Sequence, residues 1–238
     1  MESKLGIKDE LSFEELSYRI DHLLFSQNML NSYKRDKGEF IDKYIRNIFW
    51  SDDTAQDRLY EENMSYGRDF HIMCQRIFMG IIENVDENDS IDPSLKKDLK
   101  RIEYIKRKYI KKYGRENVEF YPESSIELSN RLQVTLDLVV KIYENEELSQ
   151  INIWDWKMEK NKISNSFAKS RMQTIVYMYV CKESIAKDLD YSSLKMYYYQ
   201  AKINNNVGIN YTKEEHIKNG ETINSLLNQI KSISRELD

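Results

Sequence analysis

Cysteine, proline and glycine are all scarce in this chain, whose 238 residues include 2 Cys, 2 Pro and 7 Gly. Two thiols exclude a disulfide framework and any four-thiolate metal site built from the chain alone. So few turn-forming residues count against collagen-like, proline-rich and many-turned all-β architectures, and favour long helices. Neither sign of charge dominates: 36 Lys plus Arg face 40 Asp plus Glu, a formal −4, so any site for a polyanion must be local. Long apolar runs are missing too. The stretch 72–82 is broken by Gln75, Arg76 and Gly80, well short of the roughly 18 residues that a membrane-spanning helix needs. The opening MESKLGIKDE has no apolar signal segment, so the expected address is the cytoplasm, with no membrane partner.

What is present is a large apolar complement, 40% of the residues, which suffices for one sizeable core. Helical spacing of apolar residues predicts helices over 10–24 and over 26–50, the second capped by Ser26 and broken near Gly38. A helix over 68–82 puts Phe70, Met73, Cys74, Ile77, Phe78 and Ile81 on one face. The polar tract 84–93 is a connector, and a basic helix over 95–113 ends at Gly114. From residue 117 the period changes to two, predicting strands at 118–121, 126–128, 132–142 and 151–157, with a turn at 144–147. A helix over 166–189, extended segments at 193–202 and near Ile209, and a helix over 213–237 complete the reading. The expectation is one α/β domain over residues 1–238, a mainly helical lobe (1–115) joined to a sheet core (116–238).

Two strands carry unusual charge. Alternation in 151–157 sets Ile151, Ile153, Asp155 and Lys157 on one face and Asn152, Trp154 and Trp156 on the other. On the preceding strand Asp137 interrupts an apolar run, where an ionised carboxylate is costly unless it meets a cation. Two such carboxylates suit a hard cation that takes oxygen ligands, such as Mg²⁺. On the helix after them, Gln173 and Tyr177 are i and i+4, neighbours on one face.

Asp137 followed by Asp155-Trp156-Lys157 resembles the D…(D/E)xK core of the PD-(D/E)XK nuclease superfamily. Gly67-x-x-x-His71 upstream and Gln173-x-x-x-Tyr177 downstream resemble two further motifs of its RecB-like branch, and the likeness extends over most of the chain. The resemblance implies a restriction-endonuclease-like fold, a central mixed β-sheet flanked by helices. It also implies a Mg²⁺- or Mn²⁺-dependent deoxyribonuclease in DNA repair, recombination or defence. In that reading Asp137, Asp155 and His71 hold the metal, Lys157 orients a water and stabilises charge on phosphorus oxygens, and Gln173 and Tyr177 position the scissile strand. Glu123 resembles a further acidic position of some relatives. Relatives that bind an iron-sulfur cluster use four cysteines, whereas Cys74 and Cys181 are the only two here, so no cluster is expected. Implied partners are DNA, as single strands or strand ends, and a helicase or a repair or defence complex.

Taken singly, each feature has a plainer reading: a surface Asp-x-Lys ion pair, a half-buried structural histidine, an ordinary helix surface. Their joint order and spacing outweigh those readings. The competing class is a non-catalytic nucleic-acid-binding module or scaffold that keeps the nuclease fold. The helix 95–113 carries nine Lys or Arg against Asp98 and Glu103. Lys96, Lys97, Lys100, Lys106, Arg107 and Lys111 are accordingly the expected contacts to a phosphate backbone.

Overall fold

A computed structural model describes residues 12–48 and 55–233. Among the described residues five α-helices precede the sheet: α1 (Phe13–Asp21), α2 (Gln27–Arg35), α3 (Lys37–Phe40), α4 (Ala55–Met79) and α5 (Pro93–Tyr113). Their ends follow local side-chain chemistry. Ser26 Oγ accepts from the Met29 amide at 3.3 Å and caps α2 as expected. The break after α2 falls at Asp36 rather than Gly38, because the Asp36 carboxylate caps α3 by accepting the Glu39 amide at 3.0 Å. A single π-turn over Ile41–Ile45 continues α3. Helix α5 starts on Asp92 and Pro93 and stops at Gly114, whose φ of 87° ends the helix where a side chain would be strained. The far ends of the expected helices 10–24, 26–50 and 213–237 lie outside the described residues.

The sheet has five strands in sequential order: β1 (Val118–Glu127), β2 (Gln133–Glu144), β3 (Glu147–Lys157), β4 (Leu194–Gln200) and β5 (Asn205–Asn210). All neighbours are antiparallel except β3 and β4, which run parallel and are joined across the sheet by α6 (Asn165–Ser170) and α7 (Met172–Glu183). The expected single helix over 166–189 is thus two helices, divided where Arg171 takes an extended ψ of 136°. The turn between β2 and β3 is a tight hairpin with Asn145 and Glu146 at φ 52° and 67°, the positive values that two-residue hairpin turns need. Strand β1 is continuous where the pattern suggested two short strands. Helix α8 (Lys213–Ser232) opens with a capping box between Thr212 and Glu215.

Helices cover both faces, so the middle of the sheet is buried on each side, while β1 and β5 keep alternate residues exposed. Against one face pack α1–α3, α7 and α8, with Ile20, Phe25, Leu30, Val176, Met178 and Ile223 fully buried. Against the other pack α4 and α5, with Phe70, Ile77, Leu99 and Ile102 against Trp154 and Trp156. The amino-terminal segment is clipped to β2: the Phe25 amide donates to the Arg131 carbonyl, and the Phe25 carbonyl accepts from Gln133, both at 2.8 Å. No described helix is long and apolar enough to cross a membrane. Cys74 and Cys181 are buried in different layers, one in each core.

Candidate active site

Strands β2 and β3 pair from the hairpin as far as Leu138 and Trp154, and there the ladder ends. Beyond that rung the Trp156 amide donates at 2.8 Å to the Asp137 carboxylate (Oδ2) instead of to a backbone carbonyl. The fork coincides with a switch of face along β2: Val134 and Leu136 lie in one core, and Leu138, Val140 and Ile142 in the other. Asp137 sits at the switch. The matching irregularity in β1 is Glu123, opposite Asp137 between the rungs Pro122–Leu138 and Ser124–Leu136, with a left-handed φ of 50°. A non-glycine residue held there stores conformational energy, and such residues cluster where geometry serves a site.

On β3 the alternation holds as expected. Ile151 and Ile153 enter the α7 core, Trp154 and Trp156 the α5 core, and Asp155 and Lys157 project together. Asp155 is only 2% exposed. Lys157 Nζ stands 2.8 Å from Asp155 Oδ2. It lies off the hydrogen-bonding direction, so Oδ2 is ion-paired yet has no aligned donor. Gln173 bridges the pair: its Nε2 donates to Asp155 Oδ1 at 2.5 Å while its Oε1 accepts from Lys157 Nζ at 2.8 Å. The ammonium also lies 5.4 Å from the centre of the Tyr198 ring on β4. Burial, and then the negative charge of Asp137, push the Asp155 carboxyl up to about 7 despite the opposing pull of Lys157.

Across the fork, α4 delivers His71, whose Nδ1 is 3.4 Å from Asp137 Oδ1. Burial works against the imidazolium, but the Asp137 hydrogen bond and the charges of Asp137, Asp155 and Glu123 prevail and raise its pKa. Glu123 is itself raised, by burial first and by Asp137 second. Ligand atoms of His71, Glu123 and Asp137 all lie within 4.8 Å of one another, so the cluster could hold a metal ion. The donor set fits a divalent cation in kind as well: oxygen donors predominate, and the buried Asp155 carboxylate, ion-paired with Lys157, lies in the same network. His71, Glu123 and Asp137 open on a cavity of about 710 Å³ that Lys157, Arg68 and Gln75 also line.

The structure therefore gathers His71, Asp137, Asp155, Lys157 and Gln173 into one network. Tyr177 adjoins the network beside Gln173: nearly buried, its hydroxyl donates to the Thr135 carbonyl at 2.9 Å, bracing β2 two residues before Asp137. The α5 cations lie elsewhere, and their settings differ. Lys106 turns inward and donates to the Ile77 carbonyl at 2.5 Å, Lys100 pairs with Asp86, and Arg107 pairs with Glu103. Lys97 and Lys111 are exposed. Arg68 and Gln75 join the site from positions i−3 and i+4 to His71, a spacing on one helix face that the sequence already holds. The Trp156 amide joins it with no signal in the residue types.

A sequence model of the PD-(D/E)XK nuclease superfamily matches residues 24–237. No curated protein matches the chain.

Proposed function

Because the chain belongs to the PD-(D/E)XK nuclease superfamily, we propose that it is a deoxyribonuclease whose divalent cation, Mg²⁺ or Mn²⁺, is held by Asp137, Asp155, His71 and Glu123. Family membership supports a nuclease-type function. The finer reading is carried by one observation, the meeting of three ligand-bearing side chains beside a buried carboxylate and its ammonium partner. A cation held there would polarise a phosphate oxygen and make a bound water acidic enough to attack phosphorus.

The protein's own groups take the remaining tasks. Lys157, anchored by Gln173 and Asp155, offers a fixed positive charge to the phosphorus oxygens as they gain charge. Gln173 sets the separation of those two groups, and Tyr177 acts through β2 by holding Thr135. Arg68, exposed at the rim, is placed to meet a phosphate of the bound strand. Lys96, Lys97, Lys100, Arg107 and Lys111 on α5 are the proposed contacts to more distant phosphates, with single strands or strand ends as substrate. A helicase or a repair or defence complex is the proposed setting.

End-labelled single- and double-stranded DNA incubated with the purified protein tests this. Cleavage is expected with Mg²⁺ or Mn²⁺ and none in excess chelator. Binding without any metal-dependent cleavage would favour the non-catalytic alternative.

A further inference from the structure

A second cavity, of about 600 Å³, lies between α5 and strands β3 and β4 and shares no lining residue with the catalytic one. Its volume is in the range of small-molecule sites. Five cations line it, Lys100, Arg101, Lys108, Lys112 and Lys195, and no carboxylate does, although the whole chain carries a net −4. Lys100 and Arg101 are partly neutralised by Asp86 and Asp98. Lys108 and Lys195 have no side-chain hydrogen bond or ion pair among the described residues.

The wall and floor are aromatic and amide. Tyr197 stacks on Trp154 with centroids 4.5 Å apart and planes 18° from parallel, and Tyr197 is partly open to the cavity. On the floor, the Tyr109 hydroxyl accepts from Asn152 Nδ2 and from Trp154 Nε1, each at 2.9 Å. With both acceptor positions used, its own proton has no acceptor among the described residues, and burial keeps that phenol protonated. A buried donor without an acceptor is costly unless a ligand supplies one.

We propose that this cavity binds a nucleotide, with the base against Tyr197 and a phosphate on Lys108 and Lys195. Flat rings offer stacking to any base, lysines offer point charges to phosphate, and the Tyr109 proton answers an acceptor on the base. An acidic peptide would satisfy the lysines and leave the stacked platform unused. The ligand is a free nucleotide or one nucleotide of a strand; the chemistry is the same. None of these contacts needs a metal, so the inference is independent of the nuclease reading.

The test is titration of the whole 238-residue chain in excess chelator with deoxyadenosine monophosphate and, separately, with a short oligothymidylate. Calorimetry follows wild type, a Lys108→Glu/Lys195→Glu double variant and Tyr197→Ala. The monophosphate is expected to bind saturably, the charge reversals to weaken it at least tenfold, and loss of the ring to weaken it about tenfold. Binding of the oligonucleotide alone, weakened in the same way, identifies the ligand as part of a strand. Equal affinity in all three proteins, or no binding of either ligand, overturns the proposal. Metal-dependent cleavage of a short substrate by the double variant is expected to persist, which separates this result from a failure of the nuclease reading.

Discussion

Trp156 gives its backbone amide to the Asp137 carboxylate at 2.8 Å, so the last connection between β2 and β3 runs through a side chain that also faces His71. One residue thus closes the sheet and opens the site.

That double duty separates two substitutions. Asp137→Asn keeps an oxygen for the Trp156 amide, whereas Asp137→Ala leaves a partly buried donor unsatisfied at a cost of about 1–3 kcal/mol. Both variants are expected to lose metal-dependent cleavage by roughly 10² or more. Only the alanine protein should melt appreciably earlier in chelator. Thermal unfolding followed by circular dichroism, beside a cleavage assay, checks both halves; equal melting temperatures would contradict the structural half.

Asp155 couples stability to pH. Its carboxyl is raised from an unfolded value of about 3.9 to about 7, because burial and Asp137 disfavour the charge. A group raised on folding contributes stability that is complete below its unfolded pKa and is lost as pH rises through the folded one. In chelator, Asp155→Asn is therefore expected to melt several degrees above wild type at pH 8 and close to it at pH 4. Adding Mn²⁺ should stabilise wild type more than the variant. A variant that is less stable than wild type at pH 8 would show that the buried charge is fully compensated.

In the proposed reaction Gln173 is a positioning residue, and a pH profile tests that role. Gln173→Glu brings a second carboxylate to within hydrogen-bonding distance of Asp155, so the acidic limb of cleavage should move to higher pH, with the rate at neutral pH falling about 10- to 100-fold. Gln173→Ala should lower the rate to a similar extent without displacing the limb upward. Identical profiles for the two variants would argue against an electrostatic role.

Glu123 carries a trade between stability and chemistry. Glycine adopts a φ of 50° freely, so Glu123→Gly relieves backbone strain and removes a carboxylate that repels Asp137. The metal-free variant is expected to gain about 0.5–1 kcal/mol in chemical unfolding, while its Mn²⁺ affinity by calorimetry falls about tenfold. A loss of stability, or an unchanged affinity, would remove Glu123 from the metal cluster.

Much of this arrangement is legible in the residues because chemistry marks it. Asp155 and Lys157 stand out among isoleucines on one strand face, and strand alternation is insensitive to which helices cover the sheet. Ser26 and Gly114 announce helix ends through features that act locally. What escapes depends on contacts across the chain. Pro122, Glu123, Ser124 and Ser125 read as turn residues, yet β1 runs through them, because pairing with β2 stabilises a left-handed residue that local preference disfavours. Lys106 shares the composition of its exposed neighbours, and only the Ile77 carbonyl at the end of α4 draws it inward. Tyr177 follows a motif that sets it beside Gln173, but its hydroxyl also holds a backbone atom of β2, which no side-chain pattern reveals.

The parallel pairing of β3 with β4 has a consequence for assembly in time. An antiparallel hairpin can close as soon as its turn is made, but β4 reaches β3 only after residues 158–193 have crossed the sheet, a slower, non-local step. Strand β4 brings Tyr198, which lies beneath the Lys157 ammonium, and the same crossover carries Gln173. A chain that has folded only through its third strand has its acidic residues in place but not the brace for its lysine. In the proposed reaction the brace for the lysine is complete only once β4 has joined the sheet.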